Sequence, residues 1–181
     1  MKNEICTKKI KCKNKTIDIN AKVLNESSIN SEILSKVEID LDTLKDILFH
    51  NIKLLEYQVE NDYLKSIILY QMIFCFELYL KYNMVLLSIV GNFSELKKYG
   101  HRIDNMVFKL ESKTSNGKFG YIKNSIKKIK LAGNKQMDLK TYPDFKYGFD
   151  EERMLFYKDC RLNSKEKNIV KDVIECFKKQ T

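Results

Sequence analysis

Apolar residues recur at Leu41, Leu44, Leu48, Ile52, Leu55 and Val59, the three- and four-residue steps that lay one stripe along a helix. Asp40 stands just ahead of the stripe, where a short acceptor side chain can satisfy the first free amides. The spacing predicts a helix from there to about Asn61, with Asp42, Lys45, Asp46, Lys53 and Glu56 on its polar face. The following stretch, roughly Tyr63 to Val90, is apolar on most sides, and such a helix is normally surrounded by others. Asp62 is placed to cap it, and Gly91-Asn92 to end it. Gln71, Glu77, Lys81 and Asn83 interrupt its apolar residues, so no run reaches the ~20 residues of a membrane span. Glu77 and Lys81 lie four apart with the glutamate first, the favourable order for a pair on one helix face.

Beyond this central helix, Ser94-Glu95-Leu96-Lys97 predicts a short turn. Ile103, Met106, Val107 and Leu110 predict a helix ending before Ser112. From Tyr121 to Leu131, Ile122, Ile126 and Ile129 form one stripe. Lys123, Lys127 and Lys130 form its neighbour, with Lys128 beside them. That basic face reads either as a solvated surface or as a track for phosphates. Aromatics crowd the stretch 139–157 (Tyr142, Phe145, Tyr147, Phe149, Phe156, Tyr157). They either strap a long loop to the bundle or stack on bases. Ser164 is placed to cap a last helix with Ile169, Val173, Ile174 and Phe177 as its apolar face. Ahead of Asp40, Ile17, Ile19, Ala21 and Val23 alternate as in a half-buried strand, Lys13-Asn14-Lys15 suits a turn, and Asn and Ser dominate positions 25–30. The expected architecture is therefore all-α: an up-and-down bundle of four to five helices around a central apolar one, spanning 36–181. An extension over 1–35 precedes it, with a small β-hairpin as one form it can take.

A chain of 181 residues with 44% apolar and 31% charged residues suits one globular domain. Its net charge of +9 points toward polyanions. However, only Arg102, Arg153 and Arg161 among the 33 basic residues are arginine, the better bidentate reader of phosphate. Lysine excess also accompanies A/T-rich coding and solubility. The five cysteines (Cys6, Cys12, Cys75, Cys160, Cys176) are odd in number and lack the two-residue spacing of a zinc site, which is a reduced, cytoplasmic usage. Met1 to Lys15 is too polar for a signal peptide. No phosphate-cradling glycine loop, nucleophile triad or carboxylate pair is visible, and no cofactor or metal is expected. His50 is assigned no role.

Three stretches together resemble the HEPN (higher eukaryotes and prokaryotes nucleotide-binding) family of helical domains. Gln71 to Lys81 is similar to the family's central helix, with its Glu and, four positions on, its Lys. Gly100-His101-Arg102-Ile103 is similar to the Gly-His-x-Leu segment that opens the following helix. Leu139 to Asp144, with Thr141-Tyr142-Pro143-Asp144, and then Asn163 to Phe177 are similar to the Arg-Tyr-Pro-Asp loop and closing helix of small bacterial members. The resemblance runs from about Leu41 to Lys178. It implies a helical bundle, often a homodimer, of a kind found among ribonuclease toxins, partners of nucleotidyltransferases and anti-phage systems. Ribonuclease members carry an arginine and then, after four to six residues, a histidine. This chain does not, since all three arginines follow His101, its last histidine. Lys140-Thr141 also stands where the small members have an arginine.

The resemblance thus implies a binding protein of a toxin–antitoxin or anti-phage system, its target a partner protein from a neighbouring gene, RNA or DNA. Glu77, Lys81 and His101 would act as a structural clamp, and Lys123, Lys127, Lys128 and Lys130 as the nucleic-acid face. The enzyme alternative is a divergent ribonuclease using His101 and Arg102 across a dimer interface, with Lys81 and Tyr142 as further candidates.

Overall fold

The computed structural model describes residues 10–12, 15–17, 39–130, 139 and 161–179. Within these, six helices form an all-α bundle: α1 (Leu41–Glu60), α2 (Lys65–Leu86), α3 (Phe93–Tyr99), α4 (Ile103–Thr114), α5 (Lys118–Lys127) and α6 (Ser164–Lys178). A two-stranded antiparallel ribbon lies ahead of them, β1 (Ile10–Cys12) and β2 (Lys15–Ile17), with Cys12 opposite Lys15 across positions 13 and 14. The expected strand residues Ile19, Ala21 and Val23 lie outside the described residues, as do Tyr142 and the aromatic stretch around it.

α2 is the axis. It packs on α1, α4, α5 and α6, and Ile68, Leu69, Met72, Ile73, Cys75, Phe76, Tyr79, Leu80 and Met84 have no exposed surface. α1 runs antiparallel to both α2 and α6: Gln71 of α2 donates to Asn51 Oδ1 of α1 at 3.0 Å, and Asp62, just after α1, pairs with Lys167 in the first turn of α6 at 2.8 Å. Each partner helix turns its apolar stripe inward. From α1 come Leu48, Ile52, Leu55 and Val59; from α5 Phe119, Ile122 and Ile126, followed by Ile129; from α6 Val170, Val173, Ile174 and Phe177. Phe177 meets the rings of Phe76 and Tyr79 at centroid distances of 6.4 and 5.2 Å. No helix of the described residues is long and apolar enough to cross a membrane.

The helix ends show where local signals were overruled. Asp40 does cap α1, accepting from the Asp42 amide at 3.1 Å. Asp62 does not cap α2. It sits in the left-handed region (φ 54°), its carboxylate is held by Lys167, and α2 begins after Leu64 with no side-chain cap. Gly91-Asn92 does not end α2 either. The helix stops at Leu86, Ser88 takes the left-handed turn (φ 52°), and Asn92 instead caps α3, accepting from the Glu95 amide at 2.9 Å. The short turn expected at 94–97 is thus a seven-residue helix. α4 runs through Ser112 to Thr114, where Ser112 satisfies its hydroxyl on the Lys109 carbonyl at 2.7 Å. α5 begins three residues before Tyr121, because the Glu111 carboxylate accepts from the amides of Gly117 and Gly120, both at 2.8 Å, and so caps it from the preceding helix. Asn163, not Ser164, caps α6, in a reciprocal box with Glu166.

Candidate functional site

Two places gather the residues that the sequence singles out. The first is the corner between α3 and α4. Gly100 takes φ +51° and ψ −120°, a conformation that side-chain-bearing residues rarely adopt, and it swings His101 back onto α2. There His101 Nδ1 lies 2.8 Å from Glu77 Oε2, while Lys81 Nζ lies 2.5 Å from Glu77 Oε1. The glutamate is 2% exposed; the Lys81 side chain is 19% exposed and that of His101 56%. A carboxylate this deep must be paired. Here the pair is drawn from its own helix and from a residue 24 positions away, so the contact fastens the corner to the axis. His101 and Arg102 precede α4 and do not stand on it; Arg102 is its cap residue. Both line one cleft of about 300 Å³, with Asp104 and Asn105. Sequence reasoning passed over Asn105, which carries no motif signal.

The second place lies between the end of α5 and the start of α6. A cleft of about 630 Å³ is lined by Asn124, Lys127, Lys128, Lys130, Asn163, Lys165, Glu166 and Ile169. Three of the four lysines singled out as a basic face are here. The fourth, Lys123, is turned to Asp104 at 3.0 Å and bridges α4 to α5 instead. The stripe is therefore split: Ile122, Ile126 and Ile129 are buried as expected, and the lysines beside them diverge. Lys165 was not legible as a partner, because it is 35 positions from Lys130 and reaches the cleft only when α6 packs on α5.

Among the described residues one carboxylate lines this cleft, and it is already occupied. Glu166 Oε1 receives Lys65 Nζ at 2.8 Å and Glu166 Oε2 receives the Asn163 amide at 3.0 Å. Lys65 also donates to the Lys130 carbonyl at 3.2 Å. A lysine in the first turn of a helix opposes its dipole; Glu166 compensates Lys65 from across the bundle. No ion pair joins Lys128, Lys130 or Lys165 to a described residue. Among the described residues the lining thus presents Lys128, Lys130 and Lys165 without an ion pair, and its carboxylate, Glu166, is neutralised from beneath.

Among the described residues no cluster of three or more His, Cys, Asp or Glu suits a metal ion. Cys75 lies wholly buried within the core, and burial pushes its thiol up to about 12, which removes it from nucleophilic chemistry at neutral pH. His50 turns Nδ1 to the Asp46 carbonyl of its own helix at 2.7 Å. Tyr142 falls outside the described residues. Comparison with family models, with curated proteins and with solved structures returns no match for this chain.

Proposed function

We propose that the protein acts by binding and not by turnover, as a divergent HEPN-like bundle in the cytoplasm of a prokaryotic toxin–antitoxin or anti-phage system. A nucleic acid is the ligand its surface supports best; a partner protein is the other class that the resemblance implies. The observation behind this reading is the convergence of Lys127, Lys128, Lys130 and Lys165 from two helices on one cleft. Polyanion binding is driven by such clusters, through release of the counterions that the phosphates had condensed. The purified protein is expected to bind nucleic acid at low salt and to leave RNA intact. Turnover of RNA that disappears in His101→Ala would overturn the reading. Association into a homodimer belongs to the same proposal. Ile47 and Leu54, 44% exposed and seven residues apart on α1, supply apolar surface for it, and sedimentation velocity measures it.

One observation favours a second reading. His101 and Arg102 share the cleft at the α3–α4 corner, and Glu77 orients the imidazole through Nδ1 as a carboxylate orients a general base. A ribonuclease would use His101 to take the attacking hydroxyl proton and Arg102 to balance charge on the phosphorus centre. The same cleavage assay decides between the two readings, with Arg102→Lys as the second variant.

A further inference from the structure

An aromatic ring stands on α5 one helical turn ahead of the first residue that lines the cleft between α5 and α6. Tyr121 is 53% exposed on α5, three residues before Asn124 and seven before Lys128, both of which line the cleft. Steps of three and seven keep all three on one side of the helix, and they lie within about 10 Å of each other along its axis at 1.5 Å per residue. The ring is about half-exposed, one turn along α5 from Asn124 and two from Lys128. The other polar groups of the described lining are the amides Asn124 and Asn163, which carry no charge, and Glu166, whose carboxylate is paired with Lys65.

We propose that this surface binds single-stranded nucleic acid, the lysines of the cleft following the phosphates while Tyr121 stacks against a base. The inference rests on the nucleic-acid reading above and narrows it. A duplex hides its base faces, so it can use the lysines but not the ring. A single strand uses both, and every base has a face to offer, so sequence preference is weak. The ligand follows from this combination: basic residues alone would suit any polyanion, and a lone exposed tyrosine would suit none.

The test uses the full chain and three fluorescent 20-mers (oligouridylate, oligothymidylate and a mixed-sequence DNA duplex) in anisotropy titrations across a salt series. The single strands are expected to bind more tightly than the duplex, with log affinity falling against log salt at a slope of about −2, from ~0.7 for each of three phosphates met by Lys128, Lys130 and Lys165. Tyr121→Ala is expected to weaken single-strand binding about 5- to 100-fold with the slope unchanged, and Tyr121→Phe to restore most of it. Lys128→Gln and Lys165→Gln are each expected to flatten the slope by ~0.7. All four substitutions fall at exposed positions, and circular dichroism verifies their folding. Equal binding of duplex and single strand, indifferent to Tyr121→Ala, would overturn the inference while leaving the nucleic-acid reading intact. Absence of binding to all three at low salt would overturn both. Preference between the ribose and deoxyribose strands names the sugar, and either preference supports the proposal.

Discussion

Lys81→Met is expected to cost the fold more than Glu77→Gln, and the exposures of the two side chains give the reason. Breaking a buried ion pair by deleting one partner costs ~3–5 kcal/mol, because the other charge is stranded without water. Lys81→Met leaves Glu77, whose side chain is 2% exposed, with the His101 imidazole as a partner but without the lysine charge; solvent cannot replace that charge, so a cost at the lower end, ~3 kcal/mol, applies. Glu77→Gln strands Lys81, whose side chain is 19% exposed. Its ammonium can rehydrate by a small movement, and the amide oxygen still accepts a hydrogen bond. That change should stay near ~2 kcal/mol, within the range for losing a charge-assisted hydrogen bond. The double variant Glu77→Leu/Lys81→Met removes both charges and should recover much of the loss. Urea unfolding with shared m-values measures all three, provided the transition remains two-state. If Lys81→Met costs no more than about 1 kcal/mol, the pair behaves as a surface salt bridge. The claim that Glu77 is sealed beneath the α3–α4 corner then fails.

Phe177→Ala removes the ring between Phe76 and Tyr79 and should destabilise by ~3–5 kcal/mol, measured in the same urea series; a loss under ~1 kcal/mol would mean α6 is not part of the core. Gly100→Ala meets no close atom, its nearest being the Lys97 carbonyl at 3.9 Å. Its cost of ~1–3 kcal/mol should therefore come from the positive φ alone, and Gly100→D-Ala by chemical synthesis should relieve it. Burial holds the Cys75 proton more tightly in the folded chain than in the unfolded one, from about 9 to about 12. The associated stability is complete below pH 9 and declines as pH climbs toward 12. In native protein at pH 8, peptide mapping after iodoacetamide should find Cys75 unmodified until denaturant is added.

The legible part of the fold was its inside. Burial acts on every residue of a stripe, so the steps in α1, α5 and α6 survive in the structure, and the all-round apolar stretch became the axis. Helix ends were read less well because one distant residue can decide them. Lys167 took Asp62 out of the cap position of α2, and Glu111 supplied the start of α5 from a neighbouring helix. At the α3–α4 corner the i, i+4 spacing announced Glu77 with Lys81, whereas the meeting with His101 depends on the backbone turn at Gly100. For the basic cleft, Lys127, Lys128 and Lys130 stood adjacent in the sequence. Lys165 and Lys65 did not, and neither periodicity nor composition places residues 35 or 65 positions apart on one surface. Lys123 belonged to the same run and was taken up by Asp104 of α4, a partner that its spacing in the sequence does not reveal.

Lys65 has a consequence for how the bundle breathes. Its ammonium fastens three separate stretches of chain: its own first turn, the carbonyl at Lys130 and the opening turn of α6. Helices ordinarily fray at both tips, yet for α6 to unwind from its start it would have to abandon the capping box and leave a sheltered cation stranded in the same event. Loosening at the start of α6 is therefore coupled to the release of Lys65. Amide hydrogen exchange in the turn after Glu166 should quicken in Lys65→Met, whereas exchange at the Lys178 end, held separately by Phe177 and by the Lys178–Glu56 pair, should not change.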